Sequence, residues 1–366
     1  MMSSLFKRFL LAIALVMSPL AFVHAQEEGH EGEVPGKHGE KEGFNVGEMI
    51  MHHIKDEHGW EFAHGVTLHL PVILYSQDRG LEVFSSSNLA DEKVHKGYKQ
   101  EHGKIHRVDE AGNVDHEAKV YDFSITKNVA SLLLSALIML LVFPAVSRGY
   151  AQNRGKAPKG IQSLLEPIIL FVRDEIAKPS IGPAYEKYLP YLLTLFFFIL
   201  INNLLGLLPG AANLTGNIAV TLVLAVITFL IVTFSGNKHY WMHIVKPTGV
   251  PWFVLPIMIP VEIVGVFMKP ISLMVRLFAN ITAGHIIILS LLGLIFMANS
   301  MAGMTTSVAI SPVVLFFTLF LNLIELLVAF LQAFIFALLT AMYIGSAVED
   351  NHDADHGIGY EGAEAH

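Results

Sequence analysis

The sequence predicts an all-α polytopic membrane protein. It should have about five transmembrane helices after removal of a signal peptide, the last two long and tilted, and a small, partly disordered, strand-containing extracytoplasmic segment. Three observations lead there. The 366 residues are 53% hydrophobic and only 15% charged, and their mean hydropathy of +0.53 exceeds what a soluble globule usually carries. The apolar residues collect into runs between residues 127 and 346, each near or above the ~20 residues that cross a bilayer. Acidic residues and histidines crowd instead into residues 26–126 and 347–366. The net charge of -8 offers no basic face for nucleic acid, and the absence of cysteine excludes disulfides, thiolate metal sites and thiol catalysis.

Residues 1–25 have the order of a secretory signal. Lys7 and Arg8 precede an apolar run, and Val23-His24-Ala25 forms a small-residue cleavage site before Gln26. Pro19 interrupts a run already shorter than a span requires. Residues 26–126 are rich in Gly, Glu and His, holding eleven of the eighteen histidines, and their first part reads as disordered. Val66 to Tyr75 and Leu81 to Phe84 read as two strands around the turn at Gln77-Asp-Arg-Gly80. Asp109-Glu-Ala-Gly112 offers a second turn before Lys119-Val-Tyr-Asp-Phe-Ser124.

The first span covers residues 129–146. Arg148, Arg154, Lys156 and Lys159 follow it, and such basic clusters stay cytoplasmic, so the span runs from outside to inside. Residues 160–177 carry Ile161, Leu164, Leu165, Ile168, Ile169 and Val172 at helical spacing among charged residues, which predicts an amphipathic helix on the cytoplasmic surface. Residues 189–208, stopped by Pro209-Gly210, and 218–234, stopped by Ser235-Gly-Asn-Lys238, are the second and third spans. Two longer stretches, 252–297 and 308–344, imply strongly tilted or broken helices. Pro256, Pro260 and Pro270 punctuate the first of these. Five spans return the acidic tail, residues 347–366, to the cytoplasm.

Glu262, Arg276, His285 and Glu325 stand inside apolar stretches, where a central charge costs about 2.5 to 3.5 kcal/mol on insertion scales. Lys269, beside Pro270, reads as a residue that snorkels to headgroups or locks the structure. Arg276 is too deep for that and needs a carboxylate or an aqueous cavity. At about 100° per residue Asn280 lies about 40° from Arg276, and Glu262 about 40° to the other side if the helix continues through Pro270. His285 points roughly the opposite way from Arg276 and meets a different neighbour. Glu325 and Gln332 share a face of the last helix, with Asn322 one turn earlier. Two polar stripes with titratable groups describe a proton path better than a lock, which needs only matched pairs. Arginine keeps its proton at physiological pH, so Arg276 serves as a fixed cation and relay work falls to His285 and Glu325.

The run Lys269-Pro-Ile-Ser-Leu-Met-Val-Arg-Leu-Phe-Ala-Asn-Ile-Thr-Ala-Gly-His285 resembles the signature of the a subunit of F-type ATP synthases. Asn202-Asn-Leu-Leu-Gly-Leu-Leu-Pro209 and Leu331-Gln-Ala-Phe-Ile-Phe-Ala-Leu-Leu-Thr-Ala-Met-Tyr343 extend the resemblance, which covers residues 127–346. It implies that Arg276 faces a rotating ring of c subunits, each with a membrane-embedded carboxylate. The fixed cation would attract each deprotonated carboxylate and bar a direct proton crossing between two offset half-channels. The resemblance places Glu262, Asn280, His285, Glu325 and Gln332 on channel-lining positions. Many bacterial relatives carry Glu where His285 stands and His where Glu325 stands, and this exchange implies that the two groups interact. The resemblance also implies b-type peripheral stalk partners, an inner-membrane location, and ATP chemistry in partner chains of the nucleotide-binding sector. H⁺ is the expected ion.

The chain has no Gly-x-x-x-x-Gly-Lys-Ser/Thr loop, so no nucleotide or other cofactor is expected in it. His52, His53, His58, His64 and His69 lack a metal-ligand spacing on any predicted helix and read as part of a solvated linker, with no metal site expected. A secondary transporter of a metal ion or anion is the alternative function, and internal repeats would favour it, but no two halves of the chain resemble each other. An intramembrane metalloenzyme would need clustered ligands within spans, where only His285 provides one.

Overall fold

A computed structural model describes residue 47 and residues 56–63, 66–77, 79–101, 103–108, 114–115, 120–152, 157–208, 212–245 and 251–348. The signal peptide, the start of the His-rich segment with His52 and His53, His64, the Asp109 to Gly112 turn and the acidic tail lie outside these residues. Two compact units divide the chain: 1–138 with 200–216 and 279–330, and 139–199 with 217–278 and 331–366.

The strand-bearing module belongs to the first unit. Its strands are β1 (Gly59–Ala63), β2 (Val66–His69), β3 (Pro71–Ser76), β4 (Gly80–Ser85), β5 (Tyr98–Glu101), β6 (Lys104–Arg107) and β7 (Val120–Asp122). They form antiparallel pairs β1–β2 and β5–β6 and a three-stranded sheet ordered β4-β3-β7. The hairpin expected around residues 77–80 is β3–β4, and β7 is the expected strand before Ser124. The sequence pattern had merged β2 and β3 into one strand, and it had missed β1, β5 and β6. Tyr-Lys-Gln-Glu and Lys-Ile-His-Arg carry too few alternating apolar residues to signal strands. Val72, Leu74, Phe84, Leu89, Tyr98 and Ile105 make the module's core.

His58 is turned inward, its Nε2 2.9 Å from the Asp122 carboxylate. Burial alone would raise the Asp122 carboxyl, but hydrogen bonds with His58 and from Ser124 outweigh it and hold the group below its ordinary 3.8. A carboxyl whose folded pKa is depressed stabilises the fold above the unfolded value and loses that contribution as pH falls through the folded one. Amide protection of Ile73 and Phe123, whose backbones are joined by a Phe123 N–H to Ile73 carbonyl bond, should therefore fall on acidification below pH 3.8. Asp122→Asn should weaken that protection at neutral pH and flatten its pH dependence. Equal pH dependence in the two proteins would contradict the assignment.

Five helices are long and apolar enough to cross a membrane. The first is α1 (Lys127–Gln152). The next begins as α2 (Ile161–Phe171), passes through a π-turn (Val172–Ala177), a short α3 (Lys178–Ile181) and a 3₁₀ turn, and ends as α4 (Tyr185–Gly206). The expected surface helix and second span are thus successive parts of one nearly continuous helical run. Pro179, Gly182 at φ +69° and Pro183 interrupt its regularity, because proline lacks the N–H and glycine alone enters the left-handed region cheaply.

The third span is α5 (Ile218–Ser235), capped by Asn217, whose Oδ1 accepts from the Ala219 N–H. A short α6 (Lys238–Val245), which the sequence pattern did not show, follows it, with Asn237 Oδ1 accepting from the Tyr240 N–H. The fourth span is α7 (Leu255–Ala302) and the fifth α8 (Met304–Val348). Of the two possibilities left for the long stretches, α7 is unbroken. Pro260 and Pro270 lie inside it, as neighbouring turns in a membrane helix can absorb the lost hydrogen bonds. At 1.5 Å per residue its 48 residues would stand about 72 Å tall, so crossing a ~30 Å hydrocarbon core requires strong tilt.

Helix α8 buries Ala329, Ala333, Ala337, Ala341 and Gly345 at four-residue spacing. Such small-residue stripes allow backbones to approach closely in membranes. At Gly345 an added Cβ would overlap the carbonyl oxygen of Ser180.

Candidate functional site

The six residues expected to line a proton path divide between the two units. Asn280, His285 and Glu325 belong to the first; Glu262, Arg276 and Gln332 belong to the second.

In the first unit, α7 and α8 bring His285 and Glu325 together. His285 Nε2 lies 3.6 Å from Glu325 Oε1, an ion-pair distance slightly beyond hydrogen-bond range, so Oε1 has no hydrogen-bond partner among the described residues. Glu325 is 6% exposed. Gly284 permits this approach, since a Cβ there would sit 2.9 Å from Oε1. Gly206 and Asn213, at the end of α4 and in the loop after it, border the His285 ring: a Cβ on Gly206 would lie 3.8 Å from both His285 Nε2 and Asn213 Oδ1.

The same unit holds polar groups that the sequence pattern missed. Asn203 donates to the Ala329 carbonyl, Thr215 donates to Asn203 Oδ1, and Thr282 donates to the Gly216 carbonyl. Asn203 was legible only as part of the Asn202 to Pro209 run, and nothing in the spacing pointed to Thr215 or Thr282. Asn322, one turn before Glu325, donates its side-chain N–H to the Thr318 carbonyl one turn back in its own helix.

In the second unit, Arg276 stands on an exposed face of α7, while Leu273 and Leu277 beside it are buried. Among the described residues no carboxylate pairs with it. Asn280, the first unit's residue one turn further along the same helix, is exposed too. Lys269 makes no ion pair among the described residues, and its Nζ sits 5.9 Å from the Tyr240 ring and 5.2 Å from the Tyr343 ring. Glu262, Lys269 and Arg276 recur every seven residues and so fall on one side of α7. Lys269, Tyr240 and Tyr343 line a narrow crevice with Thr228 and Pro270. Gln332 is buried.

Of the five sequence histidines considered for metal, His58 is engaged by Asp122 and His69 is exposed. Among the described residues no group of three or more His, Asp or Glu is arranged to hold a metal ion.

Ionisable groups set into long apolar helices, one pair in contact and one cation with no counter-charge among the described residues, define a multi-pass membrane protein built to pass ions. Comparison with known proteins gives the family. The family described as ATP synthase A chain matches residues 129–345, and a domain of unknown function matches residues 49–123. ATP synthase subunit a of Chlorobium phaeobacteroides is 38% identical over 93% of this chain and 86% of its own length. ATP synthase subunit a 2 of Chlorobaculum tepidum is 38% identical over 79% of this chain and 71% of its own. ATP synthase subunit a of Chloroherpeton thalassium is 40% identical over 65% of this chain and 71% of its own. The chain belongs to the ATP synthase A chain family, and its function is that of the proton-translocating a subunit in the membrane sector of F-type ATP synthase.

Proposed function

We propose that His285 and Glu325 relay protons along one half-channel, that Glu262, Asn280 and Gln332 line the proton path, and that Arg276 is the fixed cation facing the carboxylates of a rotating c ring. The observation that carries the relay is the 3.6 Å approach of His285 Nε2 to a Glu325 oxygen inside apolar helices. An imidazole and a carboxylate in contact can exchange a proton and share one charge, which a buried carboxylate alone does only at high cost. Arg276 supports the ring-facing role differently. A guanidinium on an exposed helix face, with no carboxylate among the described residues, calls for one from another chain.

The chain has no catalytic site of its own in this reading, and ATP chemistry belongs to nucleotide-binding partner chains. Its partners are the c ring against the Arg276 face and b-type stalk subunits near α1 and α2. Residues 1–25 act as the signal peptide, 26–126 as the periplasmic segment, 127–346 as the translocating domain in the bacterial inner membrane and 347–366 as a cytoplasmic tail. Arg148 and Lys159 on the far side of α1 favour this orientation.

Exchange of the pair tests the relay. His285→Glu alone faces two carboxylates at contact distance, and Glu325→His alone faces two imidazoles. Each single variant should lose roughly a hundredfold in ATP-driven acidification of inverted vesicles, the scale of a displaced proton-transfer group. The double exchange should recover most of it. A double variant no better than the worse single one would contradict a shared proton.

A further inference from the structure

The module that carries no assigned role has a sheet with two apolar faces. One face of β4-β3-β7 buries Val72, Leu74 and Phe84 in the core. The other presents Ile73, Tyr75, Leu81, Val83, Tyr121 and Phe123, of which Leu81 and Phe123 are each 65% exposed. An antiparallel sheet that meets water on one side normally alternates apolar and polar residues. Here the outward positions are apolar or aromatic except for Ser85 at the end of β4, opposite Pro71.

The register arranges them in two rows. Val83, Ile73 and Phe123 stand side by side, Ile73 pairing with Val83 and receiving the Phe123 N–H. Leu81, Tyr75 and Tyr121 form the next row, with the two tyrosine rings 6.4 Å apart. The row without hydroxyls ends on Phe123, four residues before the start of α1. The row bearing phenols lies further along the strands from that span.

Two sets of contacts fix the module that bears this sheet to membrane-spanning helices. Asp56 accepts from Thr126 Oγ1 and from the Asn128 N–H, and the Lys127 N–H donates to the Glu57 carbonyl, so the first turn of α1 is tied to the module. Trp60 and Leu70 pack with Ala212, beyond the end of α4, and with Ala130 in α1. The module is thereby held at the level where two spans leave the bilayer, and of α1's residues only Asn128, Ser131, Ser135 and Val146 are buried.

We infer that the outer face of the β4-β3-β7 sheet is a membrane-binding surface that rests on the lipid interface beside α1. Graded chemistry favours lipid, with hydrocarbon side chains toward the span and tyrosine hydroxyls beyond them, as in the aromatic belts of membrane proteins. Area favours it too. Taking ~150–250 Å² as the scale of one aromatic side chain, the patch exposes on the order of 500 Å², short of the about 800 Å² per partner that a stable protein interface needs. A lipid contact made by a module already tethered to the membrane has no such threshold.

The chain contains no cysteine, so single spin labels can be placed cleanly in the full subunit within the assembled complex in lipid vesicles. Labels at Leu81→Cys and Phe123→Cys should collide with oxygen, which concentrates in lipid, severalfold more than with a water-soluble nickel chelate, relative to a label at the exposed Ser87→Cys. Chelate access equal to that at Ser87 would overturn the inference, because the face would then be in water. Exclusion of both reagents would also overturn it, because a protein partner would then cover the face. Using two positions guards against a local disturbance at either one.

Discussion

Arg276→Ala is expected to abolish proton-driven ATP synthesis while leaving the subunit assembled. The residue is exposed on α7, and its neighbours Leu273 and Leu277 supply the packing, so its removal costs little within the chain. In the proposed role, what is lost is a positive charge opposite a c-ring carboxylate in a medium of low dielectric. At an effective dielectric of about 20 two unit charges about 4 Å apart interact by about 4 kcal/mol, and each 1.4 kcal/mol is tenfold. The synthesis rate should therefore fall about a thousandfold. Arg276→Lys should fail largely as well, since an ammonium holds its solvation shell more tightly and can give up its proton when buried. If Arg276 bars direct crossing between half-channels as proposed, a passive proton leak should accompany the loss.

Gly345→Ala should have an equally large effect by a different route, the loss of the folded subunit. The obstacle to a methyl group at Gly345 is the backbone carbonyl of Ser180, which no side-chain rotation can move. Overpacking of this kind typically costs 1–3 kcal/mol and here should reach at least the upper end, about 3 kcal/mol. The amount of subunit recovered in purified complex should drop sharply, and Ser180→Gly should not rescue it because the clashing atom is main chain. Gly265→Ala is the control, since a Cβ there meets nothing within 4 Å and alanine is the better helix former. Equal recovery of Gly345→Ala and Gly265→Ala would contradict the close crossing.

The spans were legible in the sequence because uninterrupted apolar runs have few other uses, and the β3–β4 hairpin because Val, Ile, Tyr and Phe flank a turn-forming run. Continuity was less legible. Pro270 reads as a breaker, yet α7 passes through it, and the surface helix expected at residues 160–177 runs on through Gly182 into α4. Burial against neighbours decided both outcomes, and a single sequence does not show it. At the site, intrahelical spacing placed Glu262, Arg276 and Asn280 correctly along one helix. The exchange of His and Glu among relatives foreshadowed the His285–Glu325 contact. The Lys269 contacts with Tyr240 and Tyr343, and the Thr215 to Asn203 hydrogen bond, join residues far apart in sequence by tertiary packing alone.

The most direct test of the central claim, that Arg276 is the cation every ring carboxylate must meet, is the initial rate of ATP-driven acidification in inverted membrane vesicles. Wild type and Arg276→Ala would be compared at equal amounts of assembled complex. The variant should give no measurable acidification while ATP hydrolysis sites remain intact in the partner sector. Acidification at the wild-type rate would contradict the claim and leave Arg276 with a structural role only.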